Sequence, residues 1–189
     1  MNDEEDMLLT DASWVDPDAM AGPRVVAAVD GSAGSRAALQ FAVQDAARRG
    51  VPVEAVISYR SPDYWTDFNV IGQSETERMR ARLRSEAEAR VRAVVDEVGR
   101  EMSGSLPEVG IRAVHGAPAD ALIRASHGAD LLVVGSRGHG GFTSMLLGST
   151  SMQCALHATC PVTVVHSPEA RRHRIRLHRQ RRTEPAPVG

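Results

Sequence analysis

Short apolar runs in this chain alternate with longer stretches in which apolar residues recur every three or four positions. The short runs predict five strands, at residues 24–29, 51–59, 110–115, 131–134 and 161–166. The longer stretches predict helices at residues 32–49, 74–102, 118–127 and 150–159. Strands that alternate with helices in this way are typical of a parallel sheet covered on both faces. We therefore expect an α/β fold built on a doubly wound, five-stranded parallel sheet.

The second predicted helix is rich in both acidic residues and arginine. Several acidic residues precede an arginine by four positions, an order that stabilises a helix. The pairs expected from this spacing are Glu86 with Arg90, Glu88 with Arg92, and Asp96 with Arg100. We interpret these arginines as a solvated, paired face of the helix and not as a nucleic-acid site.

A glycine-rich loop follows the fourth predicted strand and leads into the last predicted helix. Gly135 and Gly138 would let the backbone turn sharply and approach a ligand without a Cβ in the way. The free N–H groups of such a loop, together with the N-terminus of the next helix, favour a bound phosphate. Ser149 and Thr150 stand where a helix cap is expected, so their hydroxyls could cap the helix or contact a phosphate oxygen.

Other phosphate and nucleophile motifs fail on particular residues. A Walker A loop needs a lysine, and the chain contains none. The dinucleotide fingerprint should follow the first strand, where the sequence from Asp30 to Gly34 is Asp-Gly-Ser-Ala-Gly. That segment approaches the G-x-S-x-G nucleophile elbow but has Asp in place of the first Gly. The glycine-rich loop is therefore the better candidate for a phosphate site.

The glycines of this loop have a regular spacing. Gly135 is followed by two residues, Gly138, nine residues, Gly148 and then Ser149. This pattern resembles the universal stress protein family, whose ATP-binding members carry Gly-2x-Gly-9x-Gly-(Ser/Thr). Asp30 after the first strand and Gly-Ala-Pro at residues 116–118 match two further elements of that family. The resemblance covers residues 24–167 and implies the strand order 3-2-1-4-5.

In that order the first and fourth strands are neighbours, and ligands bind beyond their carboxyl ends. Asp30 follows the first strand and Gly135 ends the fourth, so we expect both in one crevice. The resemblance also implies that the backbone near Tyr59 contacts an adenine ring. The predicted nucleotide-binding residues are Asp30, Tyr59, Gly116, Gly135, Ser136, Arg137, Gly138, His139, Gly148, Ser149 and Thr150.

Some residues of this set have more than one interpretation. Asp30 could hold Mg²⁺ together with phosphate oxygens, accept a hydrogen bond from ribose or adenine, or cap the helix that follows. Arg137 and His139 could contact phosphate or point to solvent. The expected cofactors are accordingly ATP and, through Asp30, Mg²⁺.

The intact glycine spacing favours an ATP-binding regulatory protein that acts as a nucleotide-dependent stress-response module. A nucleotide-independent interaction protein of the same fold is an alternative, and so is a slow ATP hydrolase. The sequence contains no nucleophile–base pair, so we expect at most weak ATPase activity. The choice of ATP over AMP or a cyclic nucleotide stays open at this point.

The two ends of the chain differ in charge, although the net charge is only −2. Residues 1–23 hold seven acidic residues and no Arg, whereas residues 168–189 hold seven Arg and two Glu. Segments this polar cannot build a core. We therefore interpret them as disordered arms on either side of one domain at residues 24–167. The Arg-rich tail could bind an anionic partner such as nucleic acid, although a solvated tail is the simpler interpretation.

The chain has no apolar run long enough to span a membrane, and its acidic N-terminus argues against a secretory signal. Cys154 and Cys160 form no metal set or disulfide framework, so we interpret them as small apolar residues in a reducing cytoplasm. We expect a cytoplasmic protein with an unidentified regulatory partner. A homodimer is also expected, because the last strand, which begins at Pro161 and ends at His166, is a sheet edge that a second copy can pair with.

Overall fold

The computed structural model describes residues 22–60, 73–102, 105–138 and 147–167. Most of the acidic arm, the Arg-rich tail from residue 168 and His139 of the glycine-rich loop lie outside these residues. In chain order the elements are β1 (Val25–Ala28), α1 (Ala33–Arg49), β2 (Val53–Tyr59), α2 (Gln73–Glu101), β3 (Val109–His115), α3 (Pro118–Ala125), β4 (Leu131–Gly135), α4 (Ser149–His157) and β5 (Val162–Val165).

The sheet has five strands in the order β3-β2-β1-β4-β5, and every pairing is parallel. The α/β class, the doubly wound sheet and its strand order are therefore confirmed. β1 is central, with β2 on one side and β4 on the other. Because the chain builds outward from β1 first to one side and then to the other, the strand order reverses between β1 and β4. This reversal opens a crevice at the carboxyl ends of the two strands.

Helices cover both faces of the sheet, as its nearly continuous apolar strands require. On one face, Val25 and Ala27 of β1 pack with Val91 of α2 and with residues of α1. On the other face, Val26 packs with Leu122 of α3 and with residues of α4. Alternate residues of each strand thus supply two separate cores, and each fully buried Val or Leu stabilises the fold by about 1.5–3 kcal/mol.

Several predicted boundaries differ from the observed ones by one or two residues, among them the end of the last helix at His157 and of the last strand at Val165, and two have a clear physical reason. The third helix ends at Ala125 and not at residue 127, because the chain turns there: the Ser126 and His127 N–H groups donate within a tight turn. The last strand begins at Val162, one residue later than predicted. Pro161 has no N–H, so it contributes only its carbonyl oxygen, which accepts from the Leu132 N–H at 2.9 Å.

A charged cluster lies in the core between the sheet and helices α3 and α4. The sequence pattern had predicted its three residues only as ordinary members of strands. Glu54 of β2 is 1% exposed, and its carboxylate lies 3.0 Å from Arg24 Nε and 2.8 Å from Arg112 Nε. Arg24 also donates to the carbonyl oxygens of Ala125 and His127, each at 3.1 Å. We call Arg24, Glu54 and Arg112 the ionic triad. It ties β1, β2 and β3 to the end of α3.

α2 is longer than the part of the sheet that it covers. Residues 75–82 and 84–86 are exposed, whereas Ala87, Val91 and Val98 are buried against the sheet. Arg36 in the first turn of α1 fixes the other half of α2: its guanidinium contacts Glu97 at 2.5 Å and also pairs with Glu101. The N-terminal half of α2 therefore projects beyond the end of α1.

The ion pairs predicted along α2 are wrong. Glu86 pairs with Arg82 at 2.8 Å and Glu88 with Arg84 at 2.9 Å, so each glutamate uses the arginine four residues before it. Arg100 Nε donates to the backbone oxygen of Asp96, at 3.2 Å, and not to its carboxylate. A glutamate flanked by arginines at both i−4 and i+4 can reach either one, so spacing alone does not select the partner.

Among the described helices, none combines the length and the apolar character that a membrane crossing requires.

Candidate functional site

A crevice of about 850 Å³ lies at the carboxyl end of the sheet, where β1 and β4 diverge. Asp30 follows β1 on one side, and Gly135, Arg137 and Gly138 follow β4 on the other. The start of α4 closes one side of the crevice, with Gly148 and its three successors in the wall. The described predicted residues that the structure brings together here are Asp30, Gly135, Arg137, Gly138, Gly148, Ser149 and Thr150.

The N-terminus of α1 enters the crevice beneath Asp30, and its own side chains cap it. Ser32 is the N-cap, and its Oγ accepts from the Ser35 N–H at 3.1 Å. Asp30 Oδ1 accepts from the Ser32 N–H at 2.9 Å, and Ser35 Oγ accepts from the Gly31 N–H at 3.2 Å. Of the interpretations open for Asp30, the capping one is thus partly realised: one carboxylate oxygen holds the turn that starts α1.

The glycines of the loop are required for close packing of the protein against itself. A Cβ on Gly135 would lie 2.6 Å from the carbonyl carbon of Gly34, and a Cβ on Gly138 would overlap Asp30 Oδ2. Gly34 in turn has its Cα against the backbone oxygen of Arg137. The described glycines with positive φ are elsewhere, at residues 22, 31, 50, 116 and 128. Gly135 and Gly138 thus do not need the left-handed conformation that favours glycine, and their small size is what the fold uses.

Backbone hydrogen bonds close the two ends of the loop on each other. The Ser136 N–H donates to the Val165 oxygen at 2.7 Å, and the Gly148 N–H donates to the Ser136 oxygen at 2.8 Å. Ser151 Oγ donates to the Gly135 oxygen at 2.6 Å. Ser136 is only 1% exposed, and its two backbone hydrogen bonds hold the two ends of the loop together.

The N-terminus of α4 differs from its predicted form. Its N-cap is Gly148, in an extended conformation with φ −71° and ψ 158°, and Ser149 and Thr150 are already helical. The prediction that Ser149 or Thr150 caps the helix is wrong, because the hydrogen bond from Gly148 to Ser136 makes Gly148 the last residue of the loop. No side chain among the described residues caps α4. The first N–H groups of any helix lack partners within the helix, and here they adjoin the crevice.

Tyr59 and Gly116 lie together at the ends of β2 and β3, beside the crevice. The Gly116 N–H donates to the Tyr59 oxygen at 3.0 Å. The Tyr59 ring meets the His115 ring edge-on, with centroids 5.5 Å apart and planes at 71°. Ser58, the neighbour of Tyr59, lines the crevice. Gly116 has φ 130°, a conformation that favours glycine, so this turn depends on it.

Several crevice residues were missed by the glycine pattern. α2 contributes Arg90, Ala93 and Val94, and α3 contributes Pro118 and Leu122. The α2 residues lie on the helix stripe that includes Glu97, which pairs with Arg36 of α1. Helical spacing of three and four residues from Glu97 would have identified Ala93 and Arg90 as residues that face α1 and its N-terminus.

The titratable groups near α4 do not suggest nucleophilic chemistry. Burial raises the pKa of the Cys154 thiol to about 11, and it also raises the pKa of Cys160. Both thiols therefore stay protonated at neutral pH, which agrees with the interpretation of Cys154 as a small buried apolar residue. Within the described residues, no group of three or more His, Cys, Asp or Glu side chains could hold a metal ion.

Comparison with known proteins gives a consistent family relationship. The family model described as "Universal stress protein family" matches residues 23–166. A universal stress protein of Mycolicibacterium smegmatis is 36% identical over 143 residues, which cover 75% of this chain and 45% of that protein. Universal stress protein Rv2623 of Mycobacterium tuberculosis is 31% identical over 160 residues, covering 84% and 50%. The chain thus spans about half the length of the curated relatives it matches.

Solved structures show the same fold. A universal stress protein from Lactobacillus plantarum superposes with a TM-score of 0.61 at 23% identity, covering 77% of this chain and 99% of that one. A universal stress protein crystallised in complex with cAMP has a TM-score of 0.50 at 27% identity, covering 78% and 99%.

Proposed function

The chain belongs to the universal stress protein family, and from that premise we propose that its crevice binds ATP. The bound nucleotide would bias the conformation of a regulatory stress-response module or its choice of partner. The observation that carries this proposal is the N-terminus of α4, where a glycine N-cap leaves the first-turn N–H groups without a side-chain acceptor among the described residues.

A phosphate group supplies acceptors that no described side chain provides at this helix end. The partial positive charge of a helix N-terminus and its unpaired N–H groups together favour an anion. Ser149 and Thr150 add hydroxyl donors on the same wall of the crevice. Backbone donors need no lysine, which agrees with a chain whose basic residues other than histidine are all arginine.

The nucleotide class is supported by similarity and by the lining of the crevice. The related universal stress protein in complex with cAMP holds an adenine nucleotide. In this chain, Val29, Ile57 and Val94 line the part of the crevice near β2, and they suit the faces of an adenine ring. The glycine spacing of the ATP-binding family members favours the triphosphate.

Mg²⁺ would accompany the nucleotide. Asp30 is the carboxylate at the crevice, with Oδ1 bound to the Ser32 N–H and Oδ2 against Gly138. Mg²⁺ is commonly held by one or two carboxylates together with substrate phosphates and water, so Asp30 fits as its protein ligand once the phosphates are present. When bound, the ion would neutralise negative charge of the phosphates, and Asp30 would hold it.

Turnover is expected to be slow or absent. Phosphoryl transfer depends on positioned cations and on an oriented nucleophile. Asp30 is committed to the turn before α1 through Oδ1, and its other oxygen packs on Gly138. A carboxylate that holds the backbone and the metal ion is not placed to act as the base that activates an attacking water.

The proposal includes a homodimer that pairs through β5. This strand is an edge of the sheet, and α4, which leads into it, exposes the apolar side chains of Met152 and Leu156. Two copies could pair their edge strands and bury these side chains together. Light scattering that finds a monomer at micromolar concentration would contradict this part of the proposal.

Calorimetric titration of nucleotide-free protein tests the site. Wild type should bind ATP, whereas Gly148→Val should bind it about tenfold more weakly or worse, because the branched side chain would occupy the crevice wall. A Cβ at Gly148 makes only ordinary contacts, the nearest at 3.6 Å from the Ser136 oxygen, so the variant should fold. Wild type that does not bind ATP, or a variant with unchanged affinity, would contradict the proposal. Hydrolysis at about 1 per second or faster would instead identify an enzyme.

A further inference from the structure

Arg90 forms part of the crevice wall that α2 contributes. It is an exposed residue of α2, and it lines the crevice with Ala93 and Val94. Across the crevice, Arg137 of the loop after β4 lines the other wall. Arg90 and Arg137 are therefore the two arginines among the described residues that line the crevice.

The contact between α1 and α2 determines where Arg90 stands. Arg36, in the first turn of α1, pairs with Glu97 of α2 at 2.5 Å. Arg90 precedes Glu97 by seven residues, so it lies on the same stripe of α2, two turns and roughly 10 Å nearer the helix N-terminus. Because Arg36 is already at the beginning of α1, Arg90 lies beyond that helix and over the carboxyl edge of the sheet.

The acidic residue expected to neutralise Arg90 is engaged elsewhere. Glu86, four residues before it, accepts from Arg82 Nε at 2.8 Å. Among the described lining residues, the remaining carboxylate is that of Asp30, which holds the Ser32 N–H. The two described arginines of the lining thus exceed the one described carboxylate, and the N-termini of α1 and α4 add further positive potential.

We infer that Arg90 is a specificity-determining residue that makes the crevice favour nucleotides with two or three phosphates over AMP and cyclic AMP. The inference rests on the proposed nucleotide site and extends it. Negative charge increases from cyclic AMP through AMP and ADP to ATP, so attraction to a fixed cation increases in the same order. Arg90 lies on α2 one turn before Val94, across the crevice from the N-terminus of α4, so it acts on the phosphate chain as a fixed charge and not by direct contact.

The test is a comparison of Arg90→Gln with Arg92→Gln. Both residues are exposed arginines of α2, so the two variants have the same net charge. Two positions correspond to about 200° around a helix, so Arg92 points away from the crevice. Calorimetry with ATP, ADP and AMP at low and physiological salt should find ATP affinity about fivefold lower in Arg90→Gln and AMP affinity less than about twofold lower. Arg92→Gln should match wild type.

A charge effect predicts two further results. Arg90→Lys should keep most of the preference for ATP over AMP, because lysine preserves the positive charge. The ATP affinity of Arg90→Gln should also fall less steeply with salt than that of wild type. Thermal unfolding of each variant establishes that α2 is intact.

The contrary outcomes are distinct. If Arg90→Gln leaves the ratio of ATP to AMP affinities unchanged, whether both affinities fall together or neither falls, Arg90 is not a specificity residue, while the nucleotide site itself still stands. If Arg92→Gln lowers the ratio equally, the effect belongs to net charge and the inference fails. If wild type binds no adenine nucleotide, the proposed function and this inference fail together.

Discussion

Two helix N-termini meet at the crevice, and the chain completes them differently. At α1, Ser32 Oγ accepts from the Ser35 N–H, and Asp30 and Ser35 hold the turn that precedes the helix. At α4, the N-cap is Gly148, and no described side chain takes the role of Ser32. Both ends have the same partial positive charge by helix geometry, yet only the α1 end has a side-chain acceptor among the described residues.

This difference assigns separate tasks to the two ends. The α1 end is internally satisfied, so it contributes a fixed platform on which the loop after β4 packs. At the α4 end no described side chain accepts from the first-turn N–H groups, so it is the end that gains most from an external anion. A helix N-terminus at a crevice is therefore not by itself a phosphate site. Of two neighbouring helix ends, the one without a side-chain cap is the one expected to bind phosphate.

The strongest test gives α4 the kind of cap that α1 has. Gly148→Asp places a carboxylate at the N-cap, where it can accept from the first-turn N–H groups and repel phosphate. We expect ATP affinity to fall roughly a hundredfold, because like charges in an interface cost several kcal/mol. The thermal midpoint should stay the same or rise slightly. Calorimetry measures the loss of ATP affinity, and thermal unfolding measures whether the thermal midpoint is kept or raised.

The matched control for this variant is Gly148→Asn. Asparagine caps as well as aspartate but carries no charge, so its loss of affinity should be clearly smaller. Equal losses for Asp and Asn would mean that side-chain volume alone blocks the site. Full ATP affinity in Gly148→Asp would mean that phosphate does not bind at the N-terminus of α4.

A second variant tests whether α1 is the platform for the loop. In Gly34→Ala the new Cβ would overlap the backbone oxygen of Arg137. Alanine ordinarily stabilises a helix by about 1 kcal/mol over glycine, but here we expect destabilisation of about 1–3 kcal/mol from overpacking. ATP affinity should fall as well, because the loop must move away from α1. Denaturant unfolding and calorimetry check both effects.

Gly99→Ala is the matched control on α2. Its Cβ would approach only the end of the Leu106 side chain, at 3.3 Å, which can shift. This variant should therefore show the ordinary gain in helix stability and unchanged affinity. A stabilised Gly34→Ala would refute the packing argument.

The smallest effect is expected at the α1 cap itself. Ser32→Ala removes the acceptor of the Ser35 N–H and should lower the free energy of unfolding by about 1 kcal/mol. ATP affinity should change less than about twofold, because the α1 end is structural. Ser32→Asp, which restores an acceptor, should recover the stability in denaturant unfolding. A loss of affinity as large as that of Gly148→Asp would remove the distinction between the two ends.

The general position of the crevice was predictable, because few features determine it. Alternating strands and helices fixed the fold class, and the family resemblance supplied the strand order. Together they brought Asp30 and Gly135 to the same edge. These features depend on local apolar patterns and on topology, both of which are present in a single sequence.

The details that failed depend on competition between nearby partners. Glu86 lies between Arg82 and Arg90 at equal spacing, and nothing in the sequence indicates that Arg82 is its partner. The first residue of α4 depends on the hydrogen bond from Gly148 to Ser136 across a loop. The reason for Gly135 is its contact with Gly34, about a hundred residues earlier in the chain. Each of these choices is made by tertiary structure.

The ionic triad has a consequence for how the strands align. Apolar alternation repeats every two residues, so it allows a strand to slip by two positions and still bury its apolar side. Such a slip of β1 would move Arg24 by about 6.6 Å. Arg24 contacts Glu54 on β2 and two carbonyl oxygens at the end of α3 at the same time, so a shifted β1 would lose at least one set and leave a buried charge unpaired. The triad therefore fixes the register of β1 in the sheet. Because Asp30 follows this part of the chain, the same contacts also fix its position at the crevice.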